Sequence, residues 1–198
     1  MPRDWVGNKA ATFVTLAASN HTERERESND FYATEPKAME LLCDEMKFHD
    51  NIWECAVGQG HLAKTLTDRG YNVKCSDICD RGYPGTEIID FLTYNGKFDG
   101  DIITNPPYKF AQEFVEKALD CVNDGKYVIM FLKVQFLEGK KRKMLYENNP
   151  PKYVYVSSSR LNCAVNGEFD RFSSSAVAYA WFVWEKGYRG DTIVKWFN

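Results

Sequence analysis

No stretch of this 198-residue chain is apolar over a length that could span a bilayer. Its first residues, Met1-Pro2-Arg3-Asp4-Trp5, lack the pattern of a secretory signal, so a cytoplasmic protein without membrane attachment is expected. Histidine is scarce (His21, His49, His61), and none of the three is needed by the chemistry argued below. The six cysteines are Cys43, Cys55, Cys75, Cys79, Cys121 and Cys163. Cys75 and Cys79 have no second Cys/His pair to complete a zinc site, so free thiols and no structural metal are expected. There is no G-x-G-x-x-G and no P-loop lysine, which argues against a dinucleotide or ATP site. Positive charge is not in excess either. Lysine and arginine total 25 against 28 acids, a net charge of −3, which is not the footprint of a tight, sequence-independent DNA binder.

What the chain does have is a globular composition, 44% hydrophobic and 15% aromatic, and the length of one domain with a sizeable core. Residues 1–30 show little periodicity and end in a mixed-charge run, and they read as a loosely docked arm. The folded domain then covers 31–198. A helix is expected from Glu35-Pro36, with Met39, Leu42 and Met46 on one face. Short apolar strands follow at 51–56, 71–76, 86–89 and 100–104, alternating with amphipathic helices. The run 126–132 is too apolar for anything but a central strand, and 153–157 with 176–184 reads as an antiparallel pair across a polar loop, 158–175. This alternation predicts an open, mostly parallel α/β sheet with helices on both faces.

The most informative segment is Asn105-Pro106-Pro107-Tyr108, directly after the strand at 100–104. Two prolines fix the backbone and remove two amide donors, and Asn105 is pushed to an extended conformation by the proline that follows it. A rigid pair of acceptors results, the Asn105 amide oxygen and the Pro106 carbonyl. Such a pair suits a planar NH2 group, whose two hydrogens can be held while its lone pair is aimed at an electrophile. Tyr108 offers a face for a flat base, an interaction worth roughly 1–3 kcal/mol in nucleic-acid complexes. The bland alternative is a proline-rich turn. Upstream, Glu54-Cys55-Ala56-Val57-Gly58-Gln59-Gly60 closes the first strand of the alternating series, and its glycines let a ligand approach the backbone. Asp77 ends the next strand, where a carboxylate can accept ribose hydroxyls, and Asp90-Phe91 follows the third. Each acid could instead be a turn or helix cap.

Taken in order, these residues resemble the class I, S-adenosylmethionine-dependent amino-methyltransferases, and in particular the DNA N6-adenine methyltransferases. The resemblance runs from about Asn29 to Trp184. It implies a Rossmann-like fold with a seven-stranded, mostly parallel sheet and an antiparallel last strand. It also implies S-adenosyl-L-methionine as cofactor. Phe31-Tyr32-Ala33-Thr34-Glu35-Pro36 matches the motif that wraps the methionine end, with Tyr32 and Thr34 as contacts. Glu54, Ala56, Gly58 and Gly60 match the glycine motif, Asp77 with Ile78 the ribose-binding strand end, and Asp90-Phe91 the adenine-contacting pair. Asn105, Pro106, Pro107 and Tyr108 match the catalytic motif. Small enzymes of this kind are similar to those carried by phages and prophages.

The core consumes nearly the whole chain, leaving no room for a separate target-recognition domain, so a partner supplying specificity is one expectation. Phosphate contacts could come from Lys140, Lys141 and Arg142, or from Arg160 and Arg171 in the 158–175 loop. DNA is preferred as substrate. RNA adenine, protein glutamine and a non-catalytic binding module are the rivals.

Overall fold

A computed structural model describes residues 32–159, 161, 163–165 and 177–198; the 1–30 arm lies outside the described residues, as do Arg160 and Arg171. The described residues open with β1 (Tyr32–Thr34) and α1 (Pro36–Glu45), whose first turn uses Pro36 where an amide donor would be idle. It continues through β2 (Asn51–Glu54), α2 (His61–Asp68), β3 (Asn72–Asp77), β4 (Glu87–Ile88) and β5 (Asp101–Thr104). Helix α3 (Ala111–Cys121) leads to β6 (Tyr127–Lys133), α4 (Lys143–Asn148), β7 (Tyr153–Ser157), β8 (Cys163–Val165), β9 (Tyr179–Glu185) and β10 (Ile193–Phe197).

The main sheet has eight strands in the order β10-β7-β9-β6-β5-β2-β3-β4. Strands β4, β3, β2, β5 and β6 are mutually parallel, and β9 is antiparallel to both β6 and β7. The expected antiparallel C-terminal strand is β9, which lies between β6 and β7. One detail differs: the sheet has eight strands among the described residues rather than seven, because β10 adds a last strand, parallel to β7. The polar loop also contributes β8, which pairs with β1 in a separate two-stranded sheet.

Alternating strand residues feed two cores. Ile103, Ile129, Phe131, Trp181 and Val183 face α1 and α2, while Ile102, Val128, Met130, Phe182 and Trp184 face α3 and α4. Each fully buried large apolar side chain contributes roughly 1.5–3 kcal/mol relative to exposure. The buried indoles also find acceptors: Trp181 Nε1 donates to Ala38 O at 2.9 Å and Trp184 Nε1 to Asn149 O at 3.0 Å. Cys43, Cys55, Cys75, Cys79 and Cys121 are free thiols, and burial pushes Cys43 up to about 11 and Cys75 to about 12. Among the described residues no helix is long and apolar enough to cross a membrane, and no cluster could hold a metal ion.

Candidate functional site

From β2 the chain builds outward through β3 to β4, then crosses back to lay β5 on the other side of β2. That reversal is a topological switch point, where the crevice beyond the strands' carboxyl ends receives ligands. Glu54 and the glycine turn stand on one side of it, and Asn105 on the other.

Glu54 ends β2 and is 2% exposed. Its carboxylate accepts the backbone N–H of Ala63, while Oε2 has no hydrogen-bond partner among the described residues. Burial pushes the Glu54 carboxyl well above its ordinary value; the Ala63 N–H opposes the shift and the negative charge of Asp77 adds to it. Thr34 Oγ1 and Thr104 Oγ1 are likewise buried without hydrogen-bond partners among the described residues. Thr34 ends β1, which packs against α2, and Thr104 ends β5 beside β2. Buried polar atoms are normally satisfied, so these three atoms, on Glu54, Thr34 and Thr104, are exceptions among the described residues.

The turn after β2 is held by its neighbour strand. Val57 N donates to Ser76 O at 3.0 Å, and Gly58 N to Asp77 Oδ2 at 2.9 Å. Gly58 (φ 57°) and Gly60 (φ 81°) are left-handed, and Gly60 caps α2. A Cβ on Gly60 would also lie 1.9 Å from the Tyr83 ring, so two constraints require glycine there. Asp77 Oδ1 accepts from Cys79 N at 3.2 Å and sits 3.9 Å from Arg81 Nε. Ile78, directly after, is 59% exposed at the rim. Asp90 caps a short 3-10 turn, Oδ1 accepting from Leu92 N at 3.0 Å. The Phe91 ring is enclosed, 2% exposed, with ring centroids 5.3 Å from Trp53 and 5.2 Å from Phe114. It is a core residue, so a ligand in the crevice would meet the Asp90-Phe91 backbone and the Asp90 carboxylate rather than the phenyl face. His61 opens α2, half-buried, and burial lowers its pKa further toward the neutral imidazole.

On the other side Asn105 is half-buried and Pro106 buried. The Pro107 carbonyl accepts Phe110 N at 2.9 Å, turning the chain into a 3-10 segment that starts at Tyr108. The Tyr108 ring lies 5.8 Å from that of Tyr179, and the Lys133 ammonium sits over it at 5.0 Å. Lys133 and Tyr179 were not among the sequence candidates. The signal for Lys133 was present: a cation closing an otherwise apolar central strand, at the carboxyl end where sites form. Lys140 and Lys141 are exposed beyond the same strand. Arg142 is committed locally: it donates to Phe136 O at 2.8 Å, Gln135 O at 3.3 Å and Glu138 O, and stacks over the Phe136 ring. It clamps the turn that carries the two lysines. Tyr32 is the first residue of β1.

No protein-family model matches this chain, and no curated protein matches it. Solved structures do. A Listeria monocytogenes protein assigned to the class I S-adenosylmethionine-dependent methyltransferases superposes with a TM-score of 0.56 at 14% identity, over 95% of this chain and 71% of its own. A Pyrococcus horikoshii protein assigned as an RNA methyltransferase gives 0.55 at 14%, over 90% and 99%. The methyltransferase subunit of a type I restriction-modification system from Streptococcus thermophilus gives 0.57 at 13%, over 86% of this chain and 48% of that one. At these identities the likeness establishes the fold: a Rossmann-like, class I methyltransferase architecture.

Proposed function

We propose that this chain is an S-adenosylmethionine-dependent methyltransferase acting on the exocyclic N6 of adenine in nucleic acid, DNA in preference to RNA. The observation that carries the reading is Glu54, a buried carboxylate with an unpartnered oxygen across the switch point from Asn105-Pro106-Pro107-Tyr108. A carboxylate so placed fits the ammonium of the cofactor's methionine end. Asp77 and the left-handed glycines fit its ribose and the close passage of its chain, Thr34 borders the methionine end, and Ile78 gives its adenine an apolar rim.

When bound, the cofactor supplies an electrophilic methyl group on a sulfonium sulfur. The protein's part is positional. An adenine amino lone pair is delocalised into its ring and is a poor nucleophile. Hydrogen bonds accepted by the Asn105 amide oxygen and the Pro106 carbonyl let that nitrogen move toward tetrahedral geometry and localise the pair. With the cofactor held by Glu54 and Asp77, its sulfonium would supply the methyl group to the nitrogen that Asn105 and Pro106 aim, and the surplus amino proton would pass to solvent. Alignment of this kind can lower a barrier by roughly 7–11 kcal/mol. A base taken from a duplex must be flipped out, which stacking on Tyr108 partly offsets.

Restriction-modification and RNA-modifying proteins both stand among the structures this one is similar to. That is an analogy of fold, and it supports a nucleic-acid substrate without choosing the polymer. The chain spans 48% of the restriction-type subunit's length, and target recognition by a separate partner is part of the same proposal.

The test is transfer of labelled methyl to duplex DNA, single-stranded DNA, RNA and protein in parallel, with the product digested and identified by mass. N6-methyladenine from DNA, lost in Asn105→Ala while cofactor still raises the melting temperature, is the expected result. Label confined to RNA or to glutamine overturns the substrate, and absence of cofactor stabilisation overturns the enzyme.

A further inference from the structure

Three groups meet where the catalytic strand and its neighbour end. Lys133 is the last residue of β6, in register with Tyr179 on β9, and directly cross-strand residues share a sheet face. Tyr179 stacks on Phe131 at 5.4 Å and 16°, and Tyr108 reaches this column from the loop after β5. The Lys133 ammonium, at 5.0 Å from the ring centroid, covers a face of Tyr108 within cation–π range. A flat base stacking on that face therefore has to displace the ammonium. An ammonium leaving an aromatic face needs a compensating anion, and a nucleotide's own phosphate arrives with the base. An uncharged amide side chain brings none.

We propose, on the reading of the site as a nucleic-acid methyltransferase, that Lys133 determines substrate class. In the free protein it covers Tyr108, and in the complex it passes to a phosphate beside the extruded base. Polynucleotide adenine thereby gains entry that free nucleoside or glutamine does not. Lys133 acts through Tyr108 and the phosphate, as a positioning and specificity residue.

The experiment compares wild type, Lys133→Met, Lys133→Gln and Lys133→Arg on single-stranded and duplex oligonucleotides and on adenosine, from 50 to 200 mM salt. Lys186→Met, just past β9 and paired by its backbone with Lys126 ahead of β6, is the charge-matched control. Loss of one phosphate contact should reduce the slope of log affinity against log salt by about 0.7 on single strands and about 0.9 on duplex, roughly a threefold difference over that range. Both neutral variants should raise KM for oligonucleotides with kcat little changed, leave adenosine no worse, and keep the melting temperature. Lys133→Arg should keep the slope, and Lys186→Met should change nothing. If wild type methylates oligonucleotides and the neutral variants keep its salt slope, the role of Lys133 is overturned and the functional reading stands. If wild type labels no polynucleotide, both fall.

Discussion

Gly58 donates its backbone N–H to the Asp77 carboxylate over 2.9 Å, so the turn after β2 is pinned to the end of β3. Asp77 is thus more than a prospective ribose acceptor, because the same carboxylate also receives Cys79 N at 3.2 Å. A ligand hydroxyl at Asp77 would meet an acceptor whose orientation is already fixed from two sides. Asp77→Ala should therefore lose cofactor affinity and also leave a buried Gly58 donor unpaired, costing roughly 1–3 kcal/mol. Thermal melts with and without S-adenosylmethionine separate the two effects. Unchanged cofactor stabilisation would remove Asp77 from the ligand's contacts and leave it a purely structural tie.

Glu54 gives the site a proton linkage. Its folded pKa is raised above the ordinary 4.5 by burial, so the unliganded folded chain binds a proton that the unfolded chain releases. Stability of the free protein then falls as pH rises from 4.5 toward the raised value. An ammonium docking on Glu54 reverses this by favouring the carboxylate, so binding expels the proton and cofactor affinity rises with pH across the same window. Calorimetry in buffers of different ionisation enthalpy should show up to one proton released per ligand bound. Glu54→Gln should abolish both dependences and weaken binding, and proton release that survives in that variant would sink the assignment.

Gly60→Ala meets two obstacles, a left-handed φ of 81° and the Tyr83 ring 1.9 Å from the new carbon. The backbone term costs roughly 1–2 kcal/mol, and the ring has to move besides. Gly60→Ala in a Tyr83→Ala background should then lose less than Gly60→Ala in wild type. Denaturant melts of the four proteins in that cycle measure the coupling, and strict additivity would show that the ring yields without cost.

Much of the sheet was legible because its central strands are continuous apolar runs, which only a doubly covered parallel sheet can bury. The candidacy of Glu54, Asp77 and Asn105 has a related reason: each stands at the end of such a run, and strand ends are where this architecture places chemistry. Edges were not legible. Strand β10 leaves Ile193, Val194 and Trp196 exposed, so its burial pattern carries no core signal, and β8 has only three residues inside a polar loop. The direction of the Phe91 ring was not legible, because an aromatic after a strand has the same sequence whether it faces a ligand or the core. Its direction depends on Trp53 and Phe114, which only the fold brings together. Arg142 shows the same limit for charge. A basic run does not reveal which of its members is tied up by carbonyls of its own turn.

At the pole opposite the crevice, Asp101 is fully buried and accepts His49 N and Nδ1, each at 2.8 Å, and Tyr127 N at 2.7 Å. This one carboxylate joins the lead-in to β2 with the starts of β5 and β6, the strands whose far ends carry Glu54, Asn105 and Lys133. His49 is 42% exposed, so its Coulombic share is screened and the loss in Asp101→Ala comes mainly from backbone donors left without an acceptor. A destabilisation of roughly 2 kcal/mol is expected, about 4–8 °C in melting temperature for a chain of this size. Because the strands keep their register through their own ladders, KM for cofactor and substrate should stay at wild-type values below the melt. That pattern, stability lost with the site intact, is the converse of Asn105→Ala. A rise in KM without a change in melting temperature would show that the two poles of the sheet are not independent.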